Sequence, residues 1–350
     1  MKAEGAVTAT GRAEADLPYR ASWVDYLTDA IDRLPISGWA CYALLVGGGV
    51  LLINAMGWIG GQYPPGTFDL RRSGYPVHGV YMLALVHYLN GVASSKIATF
   101  RPALDVDPQE FRRLHYQLTT LPSGRGALAG LGGVSFVALI VASDPPDAGI
   151  GTLSLAVLIG GFLVEALTIA LFAVLIYHTI HQLGMVSRIH ALASRIDLFE
   201  PGPLYAFSHL TARTGIGLVV LTAYSFLIDP SINPVAVGLT ALVAVVAAAA
   251  FVLPLEGMHR RIVVEKERLQ LEANRRLKVA LAQLHQSVDE RDLSIADGLN
   301  KTLESLQLER DAIARMPTWP WEPGTLRAFV SALLVPIVLW LIIRALERFV

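Results

Sequence analysis

Residues 153–196 read LSLAVLIGGFLVEALTIALFAVLIYHTIHQLGMVSRIHALASRI, and this stretch decides the fold class of the chain. The part up to Tyr177 is almost wholly apolar and is long enough to cross the hydrocarbon core of a bilayer. Beyond Tyr177 there is no helix-breaking residue. The sequence becomes polar and basic there and keeps a helical pattern. The stretch therefore predicts one helix that crosses a membrane and continues as a cytoplasmic stalk.

The composition of the whole chain agrees with a membrane protein. Of its 350 residues 53% are hydrophobic and 16% are charged, and the mean hydropathy is +0.50. Such a balance is typical of chains with several membrane spans. A net charge of -1 provides no basic field, so nucleic acid is not a predicted partner. The single cysteine, Cys41, excludes an intrachain disulfide and a cysteine-based zinc site.

The apolar runs predict an all-α fold, a polytopic membrane helix bundle of about seven spans in the cell membrane. The bundle would occupy residues 37–257, with the last span near the C-terminus. The predicted spans are residues 38–59, 75–93, 127–142, 153–177, 214–228, 235–253 and 328–343. Residues 75–93 are unusually polar, so they either cross surrounded by protein or only dip into the membrane. The second alternative leaves six spans and an external N-terminus.

The segments outside the predicted spans differ in how many charged residues they contain. Residues 1–36 are predicted to form a tail followed by an amphipathic helix, which lies at the membrane surface or packs on the protein. The apolar face of that helix would be Trp23, Leu27, Ile31 and Leu34. Residues 94–125, 178–213 and 258–316 are rich in Lys and Arg, and the positive-inside rule predicts them to be cytoplasmic.

Residues 258–316 form the one sizeable polar block. Heptad spacing places Leu277, Leu281, Leu284 and Val288 on one predicted seam, and Leu299, Leu306 and Ile313 on another. The pattern predicts an antiparallel helical hairpin, resembling a coiled coil, inserted before the last span. Its apolar seam would pair with its own other arm, with the stalk or with another subunit. Residues 317–350 would supply a Trp- and Pro-rich interfacial linker and the last span.

Glu165 is the first candidate for chemistry, because an ionisable side chain deep in a bilayer is costly unless it is protonated, paired or hydrated. It is a candidate ion, proton or sensor group, with a hydrogen-bonded clasp between helices as the structural alternative. Its candidate partners are the polar residues of the first two spans, namely His78, His87, Tyr81 and Asn54.

Other residues are candidates for weaker roles. His178 and His181 lie one turn apart, which suits a pH sensor or two ligands of a metal, although no third ligand is evident. The spacing of His78 and His87 does not favour haem, and no cofactor is predicted. Candidates for contact with the lipid interface are Arg188, Arg195, Arg213, Trp319 and Trp321.

No nucleotide-binding loop, zinc-protease helix or serine-hydrolase elbow is present in the sequence. The leading hypothesis is a non-enzymatic sensor, signalling or scaffold protein that couples its membrane helices to the cytoplasmic hairpin. Its partners would be the lipid bilayer and a second copy or another protein bound through residues 258–316. The alternative hypothesis is an oligomeric ion channel or transporter that uses Glu165.

Overall fold

A computed structural model describes residues 17–143, 155–228, 234–290 and 296–346, and within these ranges the chain is helical. The first 16 residues of the predicted N-terminal tail lie outside them. The described helices are α1 (Trp23–Asp32), α2 (Gly38–Ile59), α3 (Leu70–Phe100), α4 (Pro108–Thr119), α5 (Ser123–Ser143), α6 (Leu155–Ala191), α7 (Pro201–Ile228), α8 (Pro234–Asp289), α9 (Ala296–Arg315) and α10 (Pro323–Leu346).

Helices α3 and α6 stand at the centre of the bundle. Helix α3 contacts α2, α4, α6 and α7, while α6 contacts α5, α8 and α4 as well. Side chains from α3, α6 and α7 meet in one apolar core, in which Leu89, Ile97, Val174, Leu175 and Phe207 are fully buried. Helix α3 is one helix of 31 residues, so residues 75–93 form its middle rather than a separate short span.

Four of the described helices are long and apolar enough to cross a membrane, namely Gly38–Ile59, Ile159–Ala191, Pro201–Tyr224 and the apolar part of Val243–Asp289. A shorter apolar helix covers Gly324–Leu339. Large apolar side chains on these helices and on α5 point outward, including Leu44, Leu51, Leu128, Phe136, Leu163, Leu167, Leu334 and Leu341. A soluble protein rarely exposes so much contiguous apolar surface. The chain is therefore a helical, membrane-associated protein.

Small residues allow α5 and α6 to approach closely. A Cβ atom added to Gly133 would lie 2.9 Å from the Cβ of Ala173 and 3.0 Å from the carbonyl oxygen of Ile169. Gly130 faces Ala170 and Val174 in the same way. Since a higher number on α5 meets a lower number on α6, the two helices run antiparallel. This is the close packing through small residues that is common between helices in membranes.

The predicted stalk is packed inside the protein rather than projecting from it. Helix α6 does continue past Tyr177, as far as Ala191. However, His178, Gln182, Val186 and Ile189 are at most 2% exposed. They are buried because α3, α4 and α8 extend beyond the apolar belt and surround this half of α6. Helix α6 ends at Ala191, and Pro201 and Pro203 lie in the first turn of α7, where proline is tolerated.

Helix α8 is a single helix of 56 residues. It contains both the predicted span at residues 235–253 and the first arm of the predicted hairpin. The sequence had predicted these as two separate elements. Helix α9 packs back on its second half, and Arg276 pairs with Glu309 at 3.4 Å. At two of the four predicted positions on this arm the seam differs by one residue, because Ala280 and Ser287 are buried while Leu281 and Val288 are 40% and 54% exposed. The other two, Leu277 and Leu284, are partly buried. The small side chains of Ala280 and Ser287 let the two arms lie close together.

Helix α1 packs on the rest of the protein. Val24 and Ile31 are buried, but Leu27 and Leu34, predicted to share their face, are exposed. The carboxylate of Asp25 caps the helix by accepting hydrogen bonds from Ser22. It also accepts a hydrogen bond of 3.1 Å from the backbone N–H of Leu121, just before α5. Asp25 is 6% exposed, and this burial raises the pKa of its carboxyl despite the hydrogen bonds, which lower it.

The raised pKa of Asp25 predicts a pH dependence of stability. The folded state binds the proton more tightly than the unfolded state, so the contribution of Asp25 is greatest at acid pH. It is lost as the pH rises through the pKa of the folded state. We expect Asp25→Asn to reduce the slope of the denaturant midpoint against pH between about pH 4 and pH 7. The exposed Asp29→Asn is the matched control; an equal slope in both variants would contradict the prediction.

Candidate functional site

Glu165 contacts Tyr75 rather than any of its four predicted partners. The hydroxyl of Tyr75 donates a hydrogen bond of 3.2 Å to Oε1 of Glu165. Three residues further along α6, the hydroxyl of Thr168 donates to the carbonyl oxygen of Tyr75 at 3.1 Å. Tyr75 lies in the second turn of α3, shortly after Arg71 and Arg72. Glu165 is therefore half-buried where α6 meets the polar beginning of α3, in the first third of α6.

Asn54 is fully buried and uses its whole amide group to hold the loop between α2 and α3. Its Nδ2 donates to the backbone of Val50 and to the hydroxyl of Ser73. Its Oδ1 accepts from the hydroxyl of Tyr63 at 3.1 Å and from the backbone N–H of Asp69 at 2.8 Å. Because every donor and acceptor is satisfied, this geometry is typical of a structural residue.

The remaining polar residues of α3 point to different neighbours. Tyr81 donates a hydrogen bond of 2.8 Å to the carbonyl oxygen of Gly217 on α7, and the ring of His78 lies 4.8 Å from that of Tyr224 on the same helix. His87 faces the opposite way, with Nδ1 2.8 Å from the hydroxyl of Tyr42 on α2. The structure thus does not gather His78, Tyr81 and His87 into one site.

His178 and His181 also diverge. Nε2 of His178 lies 2.8 Å from Oδ1 of Asn90 on α3, which also accepts a hydrogen bond from Gln182. His181 instead lies 2.9 Å from the carbonyl oxygen of Gln117 on α4. In the part of the chain that the structure describes, no group of three or more His, Cys, Asp or Glu residues is arranged to hold a metal ion. The pair is therefore built into two different helix contacts.

Two side chains that contact Asn90 each carry a buried polar atom without a hydrogen-bond partner among the described residues, namely His178 Nδ1 and Gln182 Oε1. Since Asn90 Oδ1 can only accept, Nε2 of His178 carries the proton and Nδ1 offers a lone pair. Unsatisfied buried polar groups are costly and are usually met by internal water. The arrangement can thus hold water between α3 and α6.

The most connected polar site is the junction on α8, which we define as residues 254–266. Here Arg261 donates hydrogen bonds to the carbonyl oxygens of Ala191 and Ala193, at the end of α6. His190 Nδ1 lies 3.0 Å from the carbonyl oxygen of Pro254. The last carbonyl groups of a helix have no partner within the helix, and a cation beside them is also favoured by the helix dipole. The junction therefore holds the end of α6 by both charge and hydrogen bonds.

The same junction holds the end of the hairpin. Nζ of Lys266 donates to the carbonyl oxygens of Ala314 and Met316, at 2.8 and 2.7 Å, where α9 ends. Two turns earlier, Nδ1 of His259 lies 2.9 Å from the carbonyl oxygen of Thr318. Three side chains of one short segment thus bind the ends of α6 and α9 and the linker that follows α9.

An aromatic stack extends the junction to α10. The ring of Trp319 stacks between His259, at 4.0 Å, and Trp321, at 4.5 Å. Trp321 in turn stacks on Phe251, whose ring lies 4.3 Å from that of Phe329 on α10. The two tryptophans, predicted to contact lipid headgroups, are only partly exposed and take part in the stack that joins α8 to the last helix.

The three arginines predicted at the lipid interface are all exposed. Arg213 lies over the ring of Tyr88 at 5.6 Å. The backbone N–H of Arg195 donates to the carbonyl oxygen of Ala103. Arg188 lines an open cavity with Arg125, which is described below.

The junction was not predicted from the sequence. Its cations bind backbone carbonyl groups, which have no sequence signature, and the partners of Arg261 and Lys266 lie 70 residues earlier and about 50 residues later in the chain. The only local signal is the abrupt change from apolar to basic sequence after Leu255. It indicates where the apolar part of the helix ends, but not which residues the basic side chains contact.

The chain matches no protein-family model, and no curated protein or solved structure is significantly similar to it.

The junction predicts unequal effects for two adjacent arginines. Arg261→Gln removes the charged donor to two carbonyl oxygens, so we expect it to lower the free energy of unfolding by about 1–3 kcal/mol. Its neighbour Arg260 forms only an exposed pair with Glu256 at 2.5 Å, so Arg260→Gln should cost less than about 1 kcal/mol. Unfolding of the purified protein in mixed micelles measures both, and equal effects would contradict the role of Arg261.

Proposed function

We propose that this chain is a multi-pass protein of the cell membrane, with about seven spans, that transmits a change in its membrane helices to a cytoplasmic hairpin formed by α9 and the second half of α8. In this proposal it acts as a non-enzymatic sensor, signalling or scaffold protein. The observation that carries it is the junction on α8, which lies on the same continuous helix as the hairpin and also binds the end of α6.

The junction supports transmission because its contacts are directional. A hydrogen bond to a carbonyl oxygen weakens steeply when its angle or length changes. A displacement of α6 would therefore alter the bonds that Arg261 makes to Ala191 and Ala193. Lys266 lies five residues from Arg261 on the same helix, so the end of α9 would respond to the same movement.

The charge pattern supports the proposed orientation. Basic residues are concentrated in residues 94–125, 187–213 and 259–315, which include the junction and the hairpin. Excess Lys and Arg is typical of cytoplasmic segments. The shorter helices α5 and α10 and the central part of α3 would complete the seven spans.

The outer face of the hairpin supports binding of a second copy or another protein. Leu271 and Leu308 are 71% and 72% exposed, and Val288 is 54% exposed, although α9 already covers the inner seam. Charged side chains such as Arg268 and Glu272 surround them. Apolar side chains within a polar rim are typical of protein interfaces.

Hydrogen exchange of the full-length protein in nanodiscs tests the transmission. In Arg261→Gln we expect faster amide exchange near residues 189–193 and also in α9, by about five-fold for each kcal/mol lost. The effect should reach α9 because Lys266 is displaced together with the helix turn that carries Arg261. Arg260→Gln is the control and should leave exchange in α9 unchanged. Faster exchange confined to residues 189–193 would contradict the proposal.

A channel or transporter is the alternative function, and the half-buried carboxylate of Glu165 is the observation that favours it. Ion flux in proteoliposomes separates the two. If the signalling proposal holds, the wild type and Glu165→Gln both show background flux of protons, potassium and chloride. Flux in the wild type that Glu165→Gln reduces about ten-fold or more would establish transport, since a pore-lining charge strongly affects conduction.

A further inference from the structure

An open cavity lies where α5 begins and α6 nears its end. Its volume is about 570 Å³, and its lining includes Tyr19, Gln117, Arg125, Ile180, His181 and Arg188. It is distinct from the junction on α8 and from the contact between Glu165 and Tyr75. The cavity combines two guanidinium groups, a phenol and an imidazole with apolar walls.

The two arginines in this cavity have no acidic partner within the described ranges of the chain. Neither Arg125 nor Arg188 takes part in an ion pair among the residues that the structure describes. The nearby acid, Asp25, is buried and already accepts hydrogen bonds from Ser22 and Leu121. Two guanidinium groups facing one cavity repel each other unless an anion lies between them. The cavity is therefore suited to a negatively charged group.

The polar groups of the N-terminal segment fix one wall of the cavity. The hydroxyl of Tyr19 donates a hydrogen bond of 2.8 Å to the carbonyl oxygen of Thr120 and lies 3.4 Å from Nε2 of His181. Tyr116 donates to the carbonyl oxygen of Tyr19 at 2.9 Å. Because these bonds hold the wall in place, the two arginines are the adjustable part of the site.

The cavity lies at the edge of the apolar belt. Leu128 and Leu131 on α5 and Ile180 on α6 are 64–69% exposed, with Leu128 one turn from Arg125. From Gly130 and its partner Val174, the antiparallel packing of α5 and α6 places Arg125 level with Ile180. Arg188 lies two turns beyond Ile180, on the polar side. A ligand here would meet cations at one end and a lipid-facing apolar surface at the other.

We propose that this cavity binds the phosphate group of an anionic phospholipid, with its acyl chains along Ile180 and Leu128. Arginine presents a planar set of donors that matches phosphate oxygens. Basic pockets between membrane helices are typical headgroup sites. A soluble phosphate compound would bind the arginines in the same way but would leave the exposed apolar surface uncovered. A lipid contacts both the arginines and the apolar surface, so it is the ligand that the whole site favours.

Lipid binding to the full-length protein tests the site. The purified protein in neutral detergent is titrated with phosphatidylglycerol, with phosphatidylcholine and with sodium phosphate, and bound lipid is counted by native mass spectrometry beside a thermal unfolding curve. We expect phosphatidylglycerol to bind and to raise the unfolding temperature, and Arg125→Gln/Arg188→Gln to weaken its affinity about ten- to thirty-fold. Arg112→Gln, an exposed arginine on α4, is the matched control and should bind as the wild type does.

Four results would overturn the proposal. Equal affinity for the double variant and for Arg112→Gln would exclude the cavity as the site. Equal affinity for phosphatidylcholine would exclude recognition of net negative charge. Stabilisation by millimolar phosphate equal to that by phosphatidylglycerol would exclude a lipid as the required source of the phosphate. Arg125→Lys/Arg188→Lys keeps both charges but loses the planar donors, so it should bind phosphatidylglycerol less tightly than the wild type and more tightly than the glutamine variant. It covers the case in which the glutamine variant does not fold, and wild-type affinity in it would overturn the proposal.

Discussion

The unsatisfied carbonyl groups at the ends of α6 and α9 are the constraint on which the arrangement of this protein depends. Each helix ends in carbonyl groups that have no partner within the helix and therefore need donors. One segment of α8 supplies them, through Arg261 for α6 and Lys266 for α9. Because both cations lie on the same helix, satisfying the two helix ends also fixes the hairpin relative to the membrane bundle.

The helical class and several helix bounds could be predicted from the sequence, because long apolar runs and their polar boundaries are local properties. Residues 38–59 coincide with α2, and the apolar run near Glu165 lies in α6. The hairpin seam was misjudged by one residue at two positions, since heptad counting favours Leu281 and Val288 over Ala280 and Ser287. Close packing of two arms selects small side chains, and apolarity alone does not show that preference.

The polar contacts could not be predicted because they depend on how distant helices are rotated. Glu165 was expected to meet His78, Tyr81, His87 or Asn54, but Tyr75 faces it and Asn54 is occupied by the loop before α3. The same difficulty applies to the predicted stalk. Its basic sequence indicated exposure to solvent, whereas α3 and α4 surround it and bury His178 and Gln182. In each case the type of residue indicated that a polar contact was needed, but the sequence did not show which residues of other helices would make it.

The continuity of α8 has a mechanical consequence. From Arg261 to Asp289 the helix extends 28 residues, which corresponds to about 42 Å of lever arm beyond its fulcrum at the junction. A tilt of about 10° at that fulcrum would carry the far end through about 7 Å, more than the rise of one helical turn. A small rotation of α8 at the junction would thus produce a displacement at the far end of the hairpin that is larger than the movement at the junction itself.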